Sequence, residues 1–467
     1  MFREEKDFLG SLKIPADSYY GIHTARALKN FPLSGYKVPK ELITAYALVK
    51  KACAIANTRL GYIEEKIGNA IIKACDEILE GKFQEEFIVD ALQGGAGTST
   101  NMNINEVIAN RANEILGYKK GQYYPVHPLE HVNLHQSTND TYPTALKIAA
   151  LFMLEDLSEA IARLQGVLQE KEKEFAFILK IGRTELQEAV PLTLGREFSG
   201  FAEAISRDRW RVWKCKERIR VLNIGGTAIG TGLTAPRDYV FFVIEVLREL
   251  TGLNISRAEN PVGVTAFADD MVEVVGILDA YASNLFKISN DLRLMNLLKE
   301  VRLKPVQPGS SIMPGKVNPV VLEATMQVAL KVKANSYIVR ECASSSTFQI
   351  VEFMPLIAFS FLESLRLLLN VTTVLKEHLT KLKADKEFCK KYFEESFSII
   401  TALLPLIGYE KAVEIVQEMK TKEVKNIKEF LQQKFGNKIL KLLSPESLNS
   451  LGYDEYELEE LRNDNNS

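Results

Sequence analysis

The sequence predicts a mainly α-helical fold built around a long helical bundle. Apolar residues recur at three- and four-residue spacing, which places them on one face of a helix. Two-residue alternation is scarce, so few strands are expected. Proline is absent from long stretches, and each could hold a helix above the usual ~11–12 residues. These stretches are 144–190, 192–235, 262–304, 320–354 and 356–404.

Two apolar stripes carry the bundle prediction. The longer one comprises Met271, Val274, Leu278, Tyr281, Leu285, Ile288, Leu292 and Met295, and the other Leu154, Leu157, Ile161, Leu164 and Leu168. A coiled-coil-like bundle buries one such stripe per helix. Turn signals concentrate near the N-terminus, whereas shorter, more charged segments follow residue 396. We expect an N-terminal domain (1–140), a central helical-bundle domain (141–395) and a small C-terminal domain (396–467), with a frayed tail at 462–467.

Composition excludes several classes of protein. The chain has 467 residues, of which 46% are hydrophobic and 25% charged, as in water-soluble globular proteins. With 58 basic and 60 acidic residues, the net charge of -2 argues against a nucleic-acid surface. The charged N-terminus has no apolar core of a signal peptide, and charges interrupt the apolar segments, so no membrane span is expected. Five dispersed cysteines indicate a reducing, cytoplasmic location.

One loop stands out for its chemistry, Gly309-Ser-Ser-Ile-Met-Pro-Gly-Lys-Val-Asn-Pro319. Its glycines and prolines indicate a shaped loop between helices. Ser310 and Ser311 supply hydroxyls, Lys316 a cation and Asn318 an amide. These groups suit a site that holds a carboxylate while a proton leaves the adjacent carbon. A plain helix–helix connection would also use Gly and Pro, but it does not require that set of polar groups.

Three further polar clusters interrupt the helical pattern. They are Gly94–Asn103, which contains Thr98; Gln136–Asp140, which contains Ser137, Thr138 and Asn139; and Gly182–Pro191, which contains Thr184 and Glu185. Taken singly, the first two fit helix N-caps and the exposed glutamate a solvated charge. Each cluster, however, lies at the end of a long predicted helix. Loops at one end of a bundle are where binding residues collect, so we predict that the four clusters form one site.

The histidines of the 127–135 segment are spaced by four residues. On a helix, His127, His131 and His135 would align as metal ligands. Pro128 interrupts the first turn, and no cysteine lies nearby. Hydrogen bonding or an anion contact is therefore favoured for these side chains, and no metal site is predicted.

The four clusters together resemble the signature blocks of the aspartase/fumarase superfamily. The loop from Gly309 is similar to the family pattern G-S-S-x-M-P-x-K-x-N. The other three blocks match G-T-S-x-N-M-N, S-T-N-D and G-R-T-x-L-Q in the same order. The resemblance extends from about residue 4 to the I-G-Y-E-K-A block near residue 412.

That resemblance implies a mainly α, three-domain aspartase/fumarase fold. It also implies a homotetramer in which the central domains join into one bundle and each active site takes loops from different subunits. The reaction implied is reversible β-elimination from a small dicarboxylate substrate, which releases fumarate. No organic cofactor is implied, and a divalent cation such as Mg²⁺ is left open as an activator.

Within the superfamily, the aspartate ammonia-lyases resemble the chain more than the class II fumarate hydratases do. The segment Tyr20–Ala27 is similar to Y-G-V-H-T-x-R-A of the ammonia-lyases. Fumarate hydratases carry a histidine where Glu185 stands. The chain also departs from both groups: Met295–Pro305 replaces a longer S-G-P-R-x-G stretch, and Thr234 replaces the asparagine of G-T-G-L-N.

The expected activity is deamination of L-aspartate to fumarate and ammonia. By resemblance, Ser310 is the base, while Ser311, Lys316 and Asn318 hold the carboxylate on which charge develops. The residues expected to bind carboxylates or position the amine are Thr98, Ser137, Thr138, Asn139, Thr184 and Glu185. The alternatives are fumarate hydration, a lyase acting on another N-substituted succinyl compound, and an inactive helical scaffold.

Overall fold

The computed structural model describes residues 1–456, 458 and 459, so the tail predicted to fray (462–467) lies outside the described residues. The predicted mainly α fold is confirmed, since helices dominate the described chain. The helices are α1 (Ile22–Asn30), α2 (Lys40–Arg59), α3 (Glu65–Leu79), α4 (Thr98–Ile115), α5 (Thr138–Glu174), α6 (Leu194–Ile219), α7 (Arg237–Thr251), α8 (Pro261–Ala266), α9 (Asp269–Leu297), α10 (Val320–Ser344), α11 (Met354–Thr380), α12 (Lys386–Glu395), α13 (Leu404–Ile407), α14 (Tyr409–Thr421), α15 (Ile427–Phe435), α16 (Lys438–Leu442) and α17 (Pro445–Asn449).

The five predicted long helices are present as α5, α6, α9, α10 and α11. Every residue of the two apolar stripes is buried, which confirms that the three-four spacing marks their inward faces. Helix α5 begins before Pro143 rather than after it. Proline cannot donate a backbone hydrogen bond to the carbonyl of Asn139 four residues earlier. The side-chain amide of Asn223 donates to that carbonyl instead, at 3.0 Å.

Strands are few and short among the described residues. They form four two-stranded sheets: β1 (Phe2–Asp7) with β2 (Gly10–Pro15), β3 (Leu179–Thr184) with β4 (Gln187–Thr193), β5 (Val221–Leu222) with β6 (Ser256–Arg257), and β7 (Val301–Arg302) with β8 (Lys383–Ala384). Only the β5–β6 pair is parallel. The β3–β4 hairpin carries the G-R-T-x-L-Q block, so that block forms strands and a tight turn.

The chain divides into two compact units. The first comprises Met1–Ser158, Trp210–Ala282 and Val328–Leu369, and the second comprises Glu159–Arg209, Ser283–Gln327 and the chain from Asn370 onward. Every boundary falls inside one of the five long helices. The three-domain division at residues 140 and 395 stays a prediction.

The β3–β4 hairpin is anchored in the core of the second unit. Ile181, fully buried on β3, packs among the apolar residues of the C-terminal helices. On β4, the Glu188 carboxylate accepts hydrogen bonds from Tyr392 at 2.5 Å and from Ser396 at 2.7 Å. Thr193 donates to the side chain of Asn449 at 2.6 Å. The hairpin base is therefore held rigidly, while its tip projects into solvent.

Helix α11 is the most apolar long helix among the described residues. By length and composition alone it could cross a membrane, but 61% of its most apolar window is buried against the rest of the protein. Burial of this extent is what a core helix shows, and it accounts for the long run of apolar residues.

Thr234 provides a test of local strain. It is exposed and has a φ of 77°, a conformation that is unfavourable for a β-branched residue and well tolerated by asparagine. We expect Thr234→Asn to raise the free energy of unfolding by about 1 kcal/mol, as measured by denaturant unfolding. Thr231→Asn is the matched control, because Thr231 is also exposed but has no positive φ. An equal change in both variants would contradict strain as the cause.

Candidate functional site

The loop from Gly309 to Pro319 is closed at its neck by hydrogen bonds. The backbone N–H of Gly309 donates to the carbonyl of Lys316 at 2.7 Å. The side-chain amide of Asn318 donates to the carbonyl of Gly309 at 2.9 Å. A Cβ at position 309 would lie 2.9 Å from the Lys316 carbonyl oxygen and 3.0 Å from the Asn318 nitrogen. The close approach requires glycine at this position.

The Ser310 hydroxyl is held by two backbone hydrogen bonds. Its Oγ accepts hydrogen bonds from the backbone N–H groups of Ile312, at 3.1 Å, and Met313, at 2.9 Å. Two donors aimed at one oxygen stabilise negative charge on it and favour ionisation of the hydroxyl. The bonds arise because the chain turns back over the serine immediately after it. The hydroxyl proton remains available for transfer.

The other polar side chains of this loop are placed for contact with a ligand. Ser311 and Lys316 are exposed, and neither side chain makes a hydrogen bond or ion pair within the described residues. The amide nitrogen of Asn318 is used at the neck of the loop, so its oxygen is the group left to accept. Within the second unit, this loop thus collects a hydroxyl activated by backbone donors, a second hydroxyl and an unpaired ammonium.

The Gln136–Asp140 segment is the N-cap of α5. Ser137 Oγ accepts from the backbone N–H of Asn139 at 3.2 Å, while the Asp140 carboxylate accepts from the backbone N–H of Ser137 at 3.0 Å. This reciprocal pair resembles a capping box, with aspartate in place of the usual glutamate. Ser137 therefore caps the helix, but its hydroxyl acts only as an acceptor in this cap. Its hydroxyl proton can still be donated to a carboxylate.

Asn139 is oriented by its amide nitrogen, which donates to the carbonyl of Ala228 at 2.7 Å. The amide oxygen has no partner among the described residues, so it is the atom that can accept from an amine. Asn139 and Thr138 border a small cavity of about 10 Å³, which Ala96 of the glycine-rich loop also lines. The first unit therefore brings two of the four clusters together.

Thr98 is the first residue of α4, and Gly97 stands at the cap position with a φ of 94°. A Cβ at position 97 would meet the Tyr142 ring at 2.2 Å, which explains the glycine. Thr98 Oγ1 donates to the carbonyl of Gly95 at 2.8 Å and is exposed. The helix N-terminus beside this hydroxyl favours negative charge, as expected for a carboxylate contact.

Thr184 and Glu185 lie at the tip of the β3–β4 hairpin, and both are exposed. The two-residue turn consists of Glu185 and Leu186, whose φ angles are 52° and 61°. Turns with two left-handed residues favour Asn-Gly, so a Glu-Leu pair is strained. Strain of this kind is concentrated at functional sites. No hydrogen bond or ion pair involves the Glu185 carboxylate within the described residues.

The histidines of the 127–135 segment have structural roles. His127 Nδ1 caps a single π-helical turn by accepting from Leu129 and Glu130. His131 Nδ1 accepts from the backbone of His127, and His135 Nδ1 bonds with Asn57. All three histidines thus make hydrogen bonds, the role that the sequence favours for them. Among the described residues, no three His, Cys, Asp or Glu side chains lie together in a way that could hold a metal ion.

A buried polar network around Lys50, which contacts Gln136 next to Ser137, was not predicted from the sequence. Lys50 of α2 is fully buried and donates to Asn133 Oδ1, at 3.0 Å, and to Gln136 Oε1, at 2.9 Å. Asn101 and Asn105 of α4 donate to the same Asn133 oxygen, each at 3.1 Å. Burial lowers the pKa of Lys50 to about 8. A lysine within an apolar helical pattern was the only signal available in the sequence.

The buried Asp140 carboxylate is expected to make stability depend on pH. Burial raises its pKa to about 7, although backbone N–H groups of Ser137, Thr227 and Gly225 oppose the shift. Because the folded-state pKa exceeds the unfolded value of 3.8, its contribution to stability is full below about pH 4 and is lost as pH rises towards 7. We expect the stability difference between the wild type and Asp140→Asn to shrink across that range in urea unfolding. Parallel pH profiles would contradict this.

The expected site residues therefore fall into two sets, one in each compact unit. Thr98, Ser137, Thr138 and Asn139 belong to the first unit. Thr184 and Glu185, on one hairpin tip, and Ser310, Ser311, Lys316 and Asn318, on one loop, belong to the second. Each set combines hydroxyls with hydrogen-bond acceptors or a cation. Such groups suit a small substrate that carries carboxylates.

Comparisons with known proteins identify the family of the chain. A family model described as lyase matches residues 10–334. An aspartate ammonia-lyase of a Bacillus species is 44% identical over 422 residues, which are 89% of this chain and 90% of that protein. A class II fumarate hydratase of Thermosynechococcus vestitus is 42% identical, with coverages of 91% and 93%.

Solved structures indicate the same family. A fumarate lyase:delta crystallin from Brucella melitensis, bound to cobalt, is 42% identical with a TM-score of 0.88 and 99% coverage of both chains. A class II fumarase from Schistosoma mansoni is 32% identical with a TM-score of 0.90, covering 95% of this chain and 98% of that one. Together with the four signature blocks, these matches show that the chain belongs to the lyase family and is an enzyme of the aspartase/fumarase superfamily.

Proposed function

We propose that the protein is an aspartate ammonia-lyase, which converts L-aspartate reversibly to fumarate and ammonia. The observation that carries the proposal is the Ser310 hydroxyl, whose oxygen accepts two backbone hydrogen bonds. An alkoxide at this position would remove the C3 proton of aspartate. The C–N bond then breaks, and the amine leaves with the bonding electron pair as neutral ammonia.

The C3 proton is weakly acidic, so the enediolate that forms on the β-carboxylate needs electrostatic stabilisation. Lys316, Asn318 and Ser311 are proposed to hold this carboxylate. Thr98, Ser137, Thr138 and Thr184 would bind carboxylates or position the amine, and the Asn139 oxygen would accept from it. The ammonium of the bound substrate already carries the proton with which it leaves, so no acid is required on the leaving-group side.

Glu185 favours an amine over a hydroxyl as the leaving group. Loss of hydroxide as water requires a proton donor, whereas the exposed Glu185 carboxylate complements a cation. Several ammonia-lyases are 44% identical to this chain, which supports the same choice. A class II fumarate hydratase at 42% identity keeps fumarate hydration as the second candidate.

The proposal includes assembly and location. The two sets of site residues, together with the resemblance to this superfamily, lead us to propose a homotetramer whose active sites combine loops from different subunits. Five buried, unpaired cysteines are consistent with a cytoplasmic location. The chemistry needs no organic cofactor, because the carboxylate of the substrate itself delocalises the charge.

One assay tests the proposal directly. Fumarate formation is followed by ultraviolet absorbance with L-aspartate, L-malate and argininosuccinate as separate substrates. We expect fumarate to form fastest from L-aspartate. Faster formation from malate would replace the proposal with fumarate hydration, and no formation from any substrate would favour a catalytically inactive scaffold. In Glu185→His, a gain of malate turnover would support leaving-group selection by this position.

A further inference from the structure

A cavity of about 450 Å³ opens beside Glu185 within the second unit. Its volume lies in the ~300–1,000 Å³ range of small-molecule pockets. The hairpin tip supplies Glu185 and Leu186, and the end of α9 and the residues after it supply Met295, Leu297 and Leu298. Glu185, which stands where fumarate hydratases carry a histidine, and the shortened Met295–Pro305 stretch thus border one cavity.

Most charged groups of the cavity wall are already neutralised. Lys180, which is 2% exposed, pairs with Glu197 at 2.5 Å and with Glu300 at 2.7 Å. Arg183 pairs with Glu300 at 2.5 Å, and its guanidinium lies over the Tyr392 ring.

Lys287 pairs with Asp291 one helical turn away. Among the described residues that line the cavity, Glu185 alone has a charge without a partner.

The uncharged part of the wall is aliphatic. Leu186 and Leu297 are each 73% exposed, and the partly buried Leu294 and Leu298 and the buried Met295 extend the apolar surface. An unpaired carboxylate next to exposed leucines complements an ammonium that carries an alkyl chain. The carboxylate would attract the charge, and burial of each methylene would contribute about 0.8 kcal/mol.

We propose that this cavity accepts a substituent on the substrate amine, so that the enzyme also eliminates primary alkylamines from N-alkyl aspartates. The inference rests on the proposed function, in which Glu185 faces the amine. In the reverse direction, the nitrogen lone pair of the amine forms the C–N bond to one alkene carbon of fumarate. The electrons of the C=C bond move to the other carbon, which takes the proton of the Ser310 hydroxyl. The nitrogen keeps both of its protons and becomes a secondary ammonium, and the Ser310 alkoxide is reprotonated by an alkylammonium ion or water.

The test uses addition to fumarate with ammonia and with n-butylamine, measured as kcat/KM at equal concentrations of free amine. Product identity is checked by mass spectrometry. Leu297→Trp narrows the cavity with an exposed residue, so folding should be retained. Leu33→Trp is the matched control, because Leu33 is 65% exposed, belongs to the first unit and does not line the cavity.

We expect both amines to add in the wild type. The butylamine-to-ammonia ratio of kcat/KM should fall at least tenfold in Leu297→Trp, because one methylene in an apolar pocket is already worth ~10–200-fold. The ratio should stay within about twofold in Leu33→Trp. Addition of ammonia without butylamine, or a ratio unchanged in Leu297→Trp, would overturn the inference and leave the proposed function intact. If neither amine adds, the proposed function fails. Addition of butylamine alone would support the inference and refute the assignment to ammonia.

Discussion

Replacing Ser310 by alanine is expected to lower kcat for aspartate by at least ~10²–10⁴-fold, the contribution typical of a positioned proton-transfer group. The reason is that no other described side chain of the Gly309–Pro319 loop has an oxygen held by two backbone donors. The measurement is steady-state fumarate formation, with circular dichroism to check the fold. Turnover close to the wild-type value would remove Ser310 from the role of base.

Ser310 also organises its loop, and a second variant separates the two roles. Asparagine can accept the backbone N–H groups of Ile312 and Met313 through its side-chain oxygen, since residues of this type stabilise such turns. It cannot serve as an alkoxide. We therefore expect Ser310→Asn to be as inactive as Ser310→Ala. Recovery of most of the activity in Ser310→Asn would assign Ser310 to loop geometry rather than to proton transfer.

The helical part of the fold could be predicted because its signal is local and repeated. Eight apolar residues from Met271 to Met295 keep three-four spacing over most of α9, and all are buried. Helix boundaries were less predictable where the side chain of a distant residue replaces a missing backbone hydrogen bond. Asn223 completes the first turns of α5 around Pro143, and nothing in the local sequence indicates this contact.

The residue types of the candidate site can be read from the sequence, whereas their geometry cannot. The chemistry of Ser310, Lys316 and Asn318 is visible in the order of residues. That two backbone groups point at Ser310 depends on how the chain turns after it. The Lys50 network was not visible either, because its partners are separated from it by about eighty residues in sequence.

Replacing Gly309 by alanine is expected to lower kcat/KM by about 10²-fold, without any reactive group being removed. A Cβ here would lie 2.9 Å from the Lys316 carbonyl oxygen and 3.1 Å from Asn318 Cγ, both tighter than ordinary contact. The loop neck must open, which displaces Ser310, Lys316 and Asn318 together. A displacement of ~1 Å is enough for a loss of this size. Steady-state kinetics with aspartate gives the measurement.

The matched control is Gly263→Ala, since a Cβ at position 263 would meet Asn260 only at 3.8 Å, an ordinary contact distance. We expect that variant to keep wild-type kcat/KM. The comparison separates a general cost of glycine substitution from the specific cost at the neck of the loop. If Gly309→Ala retains full activity, the hydrogen-bonded neck does not position the proposed catalytic groups of the loop. An equal loss of kcat/KM in both variants would also show that the effect is not specific to the neck of the loop.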